Sequence, residues 1–178
     1  MKAHVVKTMI SEGEVEARIR EVASRINQDY EGRPLHLIGI LKGSVPYMWS
    51  LARHLTMPLT MDFMSCSSYG GETRSSGVVR LNKDLDEPIE GRNVLIVEDI
   101  IDSGHTLSYL KKLLEDRHPA SLRLTTLLDK PSRRVVDDVT VDYSCFVIPD
   151  QFVVGYGLDY DQMYRNLPYI GYVEFVEE

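Results

Sequence analysis

The stretch from residue 94 to residue 107, VLIVEDIIDSGHTL, constrains the fold more than any other part of the chain. Val94–Val97 is a short β-branched apolar run of the kind found in strands that are buried on both faces. Beyond it the chain turns polar, and residues 102–106 supply turn chemistry and exposed backbone N–H groups. Leucines then recur at helical spacing, namely Leu107, Leu110, Leu113 and Leu114. The pattern predicts a strand–loop–helix junction of a parallel sheet.

Two carboxylates, Glu98 and Asp99, lie at this junction directly after the apolar run. In parallel sheets such junctions lie at the carboxyl ends of the strands, where free amides and the positive end of the helix dipole attract phosphate. Because two acids would repel a bare phosphate, they imply a divalent cation, sugar hydroxyls that donate hydrogen bonds, or both. We therefore predict a phosphorylated sugar carrying magnesium as the ligand. The alternative is that both acids are only solvated at a strand end.

Strands alternate with helices along the rest of the chain. Ser11 and Glu14 form a capping-box pattern that begins a helix, and Pro46 lies in the first turn of a helix that extends to about Leu55. The carboxyl-terminal part is rich in strands. Further apolar runs predict strands at residues 5–10, 35–41, 59–66, 78–81 and 122–128. This alternation indicates an α/β protein with a mainly parallel sheet that is covered on both faces.

Composition limits the size of the protein and its partners. The chain has 178 residues, of which 43% are hydrophobic, so we expect one domain over residues 1–178. A net charge of −7 argues against a general nucleic-acid or anionic-membrane surface. Neither a transmembrane span nor a signal-peptide region is apparent, so we expect a cytoplasmic protein. Cys66 and Cys145 lack CxxC spacing and are expected to be reduced core residues.

The stretch at residues 94–107 resembles the phosphoribosyl-pyrophosphate-binding motif of type I phosphoribosyltransferases, in the version used by hypoxanthine-guanine phosphoribosyltransferases. Four further segments occur in the family's order and extend the resemblance over nearly the whole chain. They are similar to the pyrophosphate loop (Leu41–Ser44), the start of the mobile loop (Ser67–Gly70), the base-recognition segment (Leu128–Arg134), and the purine-stacking segment with its tail (Phe152–Tyr160 and Arg165). The resemblance implies a mainly parallel twisted sheet flanked by helices, with a small hood subdomain formed from the N- and C-terminal parts.

The resemblance also implies how the phosphorylated sugar is bound. The implied ribose and 5-phosphate residues are Glu98, Asp99, Asp102, Ser103, Gly104, His105 and Thr106, with His105 contributing only its backbone amide. Pyrophosphate binding is implied for Lys42, Gly43 and Arg165. The implied cofactor is Mg²⁺, with Glu98, Asp99 and Asp159 as its ligands. By itself Lys42 is consistent with an ordinary exposed lysine, although Lys-Gly-Ser at a strand end can present amides and a cation to pyrophosphate.

Asp102 is the implied general acid/base. Its position before the helix also fits a simple N-cap residue, since aspartate is favoured there. A carboxylate at a helix start is kept ionised by the helix dipole, which suits proton acceptance from a purine ring nitrogen. Both roles can hold together.

Base recognition is implied for Lys130, Phe152, Val153 and Asp159. Lys130 carries only donors, so it suits the 6-oxo group of a purine and not a 6-amino group. Apart from the resemblance, Lys-Pro is an ordinary loop pair, and an aromatic residue in a run such as that around Phe152 is more often core. Gln151 replaces the lysine that often precedes this aromatic residue in the family.

The resemblance therefore implies a magnesium-dependent purine phosphoribosyltransferase with small-molecule substrates. It would transfer a phosphoribosyl group from phosphoribosyl pyrophosphate to hypoxanthine, with guanine as a second expected substrate. The loop at residues 67–77, which includes Ser68 and Tyr69, is implied to close over the site and exclude water. Since related enzymes are dimers or tetramers, we expect a homo-oligomer.

Two other functions remain open at this point. A non-catalytic regulator on the same fold would bind RNA, but the acidic net charge and the presence of both Asp102 and Lys130 disfavour it. An adenine or orotate phosphoribosyltransferase is the second alternative. Those enzymes do not usually combine this aspartate with the lysine and aromatic residue of the base segment.

Overall fold

The computed structural model describes residues 3–68 and 79–176. Tyr69 and the remainder of the predicted closing loop lie outside the described residues. The elements along the described chain are β1 (His4–Ile10), α1 (Glu12–Asp29), β2 (Leu35–Ile40), α2 (Val45–Ala52), β3 (Leu59–Ser68), β4 (Val79–Lys83), β5 (Asn93–Ile101), α3 (His105–Glu115), β6 (Ser121–Asp129), β7 (Tyr143–Val147), β8 (Val153–Val154) and β9 (Ile170–Phe175).

Six of these strands form the main sheet, in the order β4-β3-β2-β5-β6-β7. Neighbouring strands are parallel except β3 and β4, which are antiparallel. Side chains of the central strands alternate between two hydrophobic clusters, because successive residues of a strand point to opposite faces. Leu95 and Val97 pack with α1 and α2, whereas Val94 and Ile96 pack with α3. Coverage on both faces explains why β5 begins as an unbroken apolar run.

The capping box predicted at the start of α1 is present. The Glu14 N–H donates to Oγ of Ser11 at 3.4 Å, and the Ser11 N–H donates to Oε2 of Glu14 at 2.9 Å. The buried face of this helix consists of Val15, Ile19, Val22, Ala23 and Ile26. Within residues 3–68 and 79–176, no helix combines the length and the apolar character that crossing a membrane requires.

A second, smaller sheet brings the two ends of the described chain together. It has the order β1-β9-β8, with both neighbouring pairs antiparallel and His4 opposite Phe175. The hydroxyl of Tyr156, just after β8, donates a hydrogen bond to Glu16 of α1 and so ties this sheet to the main body. The predicted hood subdomain of N- and C-terminal parts is confirmed.

β5 is longer than its apolar run predicts. It extends through the two acids to Ile101, because Glu98 pairs with Thr126 of β6 and Ile101 pairs with Asp129. The turn residues predicted from residue 102 onward begin directly after this longer strand.

Two smaller predictions also differ from the structure. α2 ends at Ala52 instead of near Leu55, because turn hydrogen bonds such as that from the Leu55 N–H to the Ala52 carbonyl replace the helical ones. Both cysteines are free, as expected, but only Cys145 is buried. Cys66 is partly exposed because β3 pairs there with the edge strand β4.

Candidate active site

Glu98 and Asp99 form a partly buried carboxylate pair at the carboxyl end of β5. Oε2 of Glu98 is buried and has no hydrogen-bond partner among the described residues. Oδ1 of Asp99 accepts a hydrogen bond from the Ile100 N–H at 2.7 Å. Burial raises the pKa of Glu98 well above its ordinary value, and the charge of Asp99 adds to this; burial also raises the pKa of Asp99, to about 6. A bound cation would stabilise the ionised form of both carboxylates and so lower these raised pKa values. The two acids therefore suit a metal ion.

A cavity of about 140 Å³ lies between Glu98 and the start of α3. No side chain caps α3, so the N–H groups of its first turn are available to an anion. The residues around the cavity are Glu98, Ile100, Ile101, Asp102, Ser103, Gly104, His105, Thr106 and Leu107. The structure thus brings together every residue expected to bind ribose and 5-phosphate except Asp99. The side chain of Asp99 does not line this cavity and instead packs against Gly43.

Asp102 is not the N-cap residue of α3, so that alternative is wrong. Gly104 is the N-cap residue instead, with a φ of +88°, and a Cβ on it would lie 2.6 Å from Cγ2 of Val136. Glycine is favoured here because it has no Cβ to meet Val136 and because it adopts the left-handed backbone conformation without strain. The Asp102 carboxylate instead accepts a hydrogen bond from Nε of Arg133 at 3.1 Å, while its carbonyl accepts one from Nε of Arg134 at 3.3 Å.

The loop after β2 brings Lys42 and Gly43 to the same edge of the sheet. The peptide bond between Leu41 and Lys42 is cis. Gly43 packs directly against the Asp99 carboxylate. Nζ of Lys42 donates to Oε1 of Gln162 at 3.2 Å, which connects this loop to the carboxyl-terminal part of the chain.

Arg165 lies beside this loop and is paired with Asp159. Its Nη2 lies 2.8 Å from Oδ1 of Asp159 and donates to Oε1 of Gln162 at 3.2 Å. The Gln162 N–H donates to the other Asp159 oxygen at 2.8 Å. Within the described ranges, no group of three or more histidine, cysteine or acidic side chains is placed to hold one metal ion. Glu98 and Asp99 are therefore neighbours at the end of β5 on opposite faces of the strand, and Asp159 does not join them as a third ligand.

Lys130 and Phe152 lie near each other beyond the carboxyl end of β6. Lys130 is buried, and its Nζ donates to the Gln151 carbonyl at 2.6 Å. Phe152 is 47% exposed and packs edge to face on Tyr160, with 5.4 Å between ring centroids. Phe152 is therefore not a core residue, and its ring is partly accessible beside Tyr160 and Phe175. Val153, the next residue, is buried in β8.

Three further polar residues contact these side chains, and sequence patterns did not single them out. Arg133 contacts Asp102, Asp150 lies 3.6 Å from Nζ of Lys130, and Gln162 accepts hydrogen bonds from both proposed pyrophosphate cations. The only sequence signal was the position of Arg133 inside the base-recognition segment.

Known proteins resemble this chain in both sequence and structure. A family model described as phosphoribosyl transferase domain matches residues 8–161. The hypoxanthine phosphoribosyltransferase of Salmonella typhimurium is 51% identical over 98% of this chain and 99% of its own. The hypoxanthine-guanine phosphoribosyltransferase of Bacillus subtilis is 50% identical over 96% of this chain and 94% of its own. A crystal structure of a hypoxanthine-guanine phosphoribosyltransferase from Bacillus anthracis, with HEPES in the active site, aligns with a TM-score of 0.90 at 45% identity, covering 96% of this chain and 98% of that one. This chain belongs to the phosphoribosyltransferase family.

Proposed function

We propose that the protein is a purine-salvage enzyme that transfers the 5-phosphoribosyl group from phosphoribosyl pyrophosphate to hypoxanthine, and also to guanine, with release of pyrophosphate. The observation that carries this proposal is the meeting of three groups at the carboxyl ends of β5 and β6. These groups are the cavity at the start of α3, the carboxylate pair, and the buried Lys130. The names of the relatives from Salmonella typhimurium and Bacillus subtilis support the choice of base.

Mg²⁺ is the proposed cofactor, with Glu98 and Asp99 as its ligands. Support comes from the buried, unpartnered Oε2 of Glu98, because a buried carboxylate oxygen without a donor suits a hard cation. When bound, the ion would neutralise charge on the departing pyrophosphate. Asp159 is the third ligand of the proposal, although in this structure its two oxygens contact Arg165 and the Gln162 N–H.

The chain's own residues then divide the work on the two substrates. Lys130 donates to the 6-oxo group of the purine, and Phe152 stacks on the ring. Asp102 accepts the proton that a purine ring nitrogen loses as its bond to the ribose forms. Lys42, Gly43 and Arg165 bind the pyrophosphate and stabilise it as it departs.

The test is one set of assays with hypoxanthine, guanine, xanthine, adenine and orotate, each with and without Mg²⁺. We expect hypoxanthine to be a good substrate and guanine to be used equally or less well. Adenine should be rejected, because its 6-amino group would face the Lys130 donors and leave buried polar groups unpaired. Efficient use of adenine or orotate would refute the proposal.

Two variants test whether Lys130 is responsible for the preference for 6-oxopurines. Lys130→Ala should lower kcat/KM for hypoxanthine by about 10²-fold or more, since the buried donor is lost. Lys112→Ala removes a lysine whose side chain is 68% exposed on α3 and should leave the value unchanged. An unchanged value in Lys130→Ala would remove this lysine from the base site.

A homo-oligomer in the cytoplasm completes the proposal. Val45 and Trp49 lie one turn apart on α2 and are 41% and 60% exposed, which favours a covered apolar surface. The free cysteines agree with a reducing compartment. Light scattering should give a multiple of the 20.3 kDa chain mass, and Trp49→Glu should reduce it.

A further inference from the structure

Arg133 links the segment that holds Lys130 to the carboxylate of Asp102. It ends the single 3₁₀ turn Pro131–Arg133 that follows β6, and its side chain reaches back to the loop before α3. We propose that Arg133 is a positioning residue for phosphoribosyl transfer, which holds the Asp102 carboxylate so that one of its oxygens faces the purine. This inference rests on the acid/base role of Asp102 in the proposed function.

The contact engages one carboxylate oxygen and leaves the other available. Nε of Arg133 donates to Oδ1 of Asp102 at 3.1 Å, and the structure shows no hydrogen bond from the described residues to Oδ2. The torsion that turns a carboxylate about its Cβ–Cγ bond is broad and only loosely restrained by itself. A hydrogen bond to one oxygen restricts this torsion, so the second oxygen keeps one direction.

Arg133 is held from its other side as well. Its Nη1 lies 3.6 Å from Oδ2 of Asp150, and Oδ1 of Asp150 lies 3.6 Å from Nζ of Lys130. The Arg133 N–H also donates to the Lys130 carbonyl at 3.0 Å. One turn therefore fixes both the donor proposed for the base oxygen and the cation that orients Asp102. Proton transfer requires that the purine ring nitrogen and the accepting oxygen of Asp102 be held in a fixed relative orientation.

The same contact contributes little to folding. The side chains of Arg133 and Asp102 are 53% and 46% exposed, and exposed ion pairs stabilise a fold only slightly. Removal of Arg133 should therefore leave the unfolding temperature nearly unchanged. A loss of rate in such a variant then reports on the reaction and not on the fold.

The experiment measures the single-turnover rate of nucleotide formation from hypoxanthine in the full chain with Mg²⁺. Arg133→Ala should slow it by about tenfold, less than loss of Asp102 itself, because the carboxylate remains but is no longer oriented. The KM for phosphoribosyl pyrophosphate should stay within about twofold. Arg133→Lys, which keeps a cationic donor, should recover part of the rate. Arg117→Ala breaks an arginine–aspartate pair with Asp84 away from the site and should have no effect.

A double variant decides how Arg133 acts. In the Asp102→Asn background, Arg133→Ala should cause no further loss, because the group that it orients is already disabled. Equal losses in both backgrounds, or a raised KM with an unchanged rate, would overturn the positioning role. Full activity of Arg133→Ala beside an impaired Asp102→Asn overturns this inference alone. Full activity of Asp102→Asn overturns the proposed acid/base role and this inference with it.

Discussion

A Cβ atom on Gly43 would lie 1.6 Å from Oδ2 of Asp99, so these two residues are in direct contact. Only glycine fits at residue 43 unless the carboxylate moves. The contact joins the loop after β2 to the end of β5, its neighbour in the sheet. The proposed pyrophosphate site, which includes Gly43, and the proposed metal site, which includes Asp99, are therefore in direct contact.

Gly43→Ala is expected to disable the enzyme by displacing Asp99. The new methyl group would take the place of the carboxylate oxygen, and small misplacements at a reacting site can cost about 10²-fold in rate. The measurement is kcat/KM for phosphoribosyl pyrophosphate. Gly13→Ala is the matched control, because a Cβ on that α1 residue meets nothing within 4 Å. Near-normal activity of Gly43→Ala would show that the acid can move without consequence.

The acid pair itself should be required for use of the metal. Replacement of both Glu98 and Asp99 by Ala should sharply weaken turnover of magnesium phosphoribosyl pyrophosphate, because carboxylate oxygens hold the cation. Calorimetric titration with magnesium pyrophosphate measures the same loss without catalysis. Glu90→Ala, an exposed acid before β5, serves as the control. Full turnover of the unaltered protein in excess chelator would contradict the metal requirement.

Asp102→Asn should lower kcat with little change in the binding of phosphoribosyl pyrophosphate. The amide keeps the shape of the side chain but cannot accept a proton, and general acid/base catalysis supplies a factor of about 10² to 10⁴. Steady-state kinetics with hypoxanthine separate the two effects, with the exposed Asp116→Asn as the control. A kcat within about twofold of normal, together with a steep rise in KM, would assign Asp102 to binding.

Asp62 should make stability depend on acid pH. The buried carboxylate accepts hydrogen bonds from the N–H groups of Phe63 and Asp86, each at 2.7 Å, and Lys83 lies 3.5 Å away. Burial by itself raises the pKa of Asp62, but these donors and the cation outweigh it and lower the pKa below its ordinary value. The stabilisation is therefore complete above the unfolded-state pKa of about 3.9 and is lost as the pH falls through the folded-state value.

Asp62→Asn tests this dependence. At neutral pH it should lower the free energy of unfolding by about 1–3 kcal/mol, because its amide group meets backbone donors. Urea unfolding between about pH 7 and pH 3 should show a steeper loss for the unaltered protein than for the variant. Parallel pH profiles for the two would remove Asp62 as the source.

Local sequence patterns predicted most of the fold, because the order of apolar and polar residues depends on which faces of each helix or strand are buried. Val94–Val97 is apolar throughout since helices lie on both sides of the sheet, and the cap of α1 depends on two residues three positions apart. The end of β5 was not predictable in this way. It is set by pairing with Thr126 and Asp129 on β6, which no local pattern of Glu98 and Asp99 contains.

The candidate site was predictable as a set of segments but not as a set of contacts. The motif located the acids and the start of α3, and the resemblance located Lys130 and Phe152. The contacts of Arg133 with Asp102 and of Gln162 with Lys42 join distant segments, so they depend on how the chain returns to the sheet edge. The roles of all these residues, and the single domain, stay predictions.

The hydrogen bond from Nζ of Lys130 to the Gln151 carbonyl spans the seam between the two sheets. Lys130 follows β6 of the main sheet, whereas Phe152 leads into β8 of the hood. In the proposed function, Lys130 hydrogen-bonds the edge of the purine and Phe152 stacks on its face. This hydrogen bond then sets the distance between those two contacts. A substitution in the hood that shifts β8 would then change which bases fit.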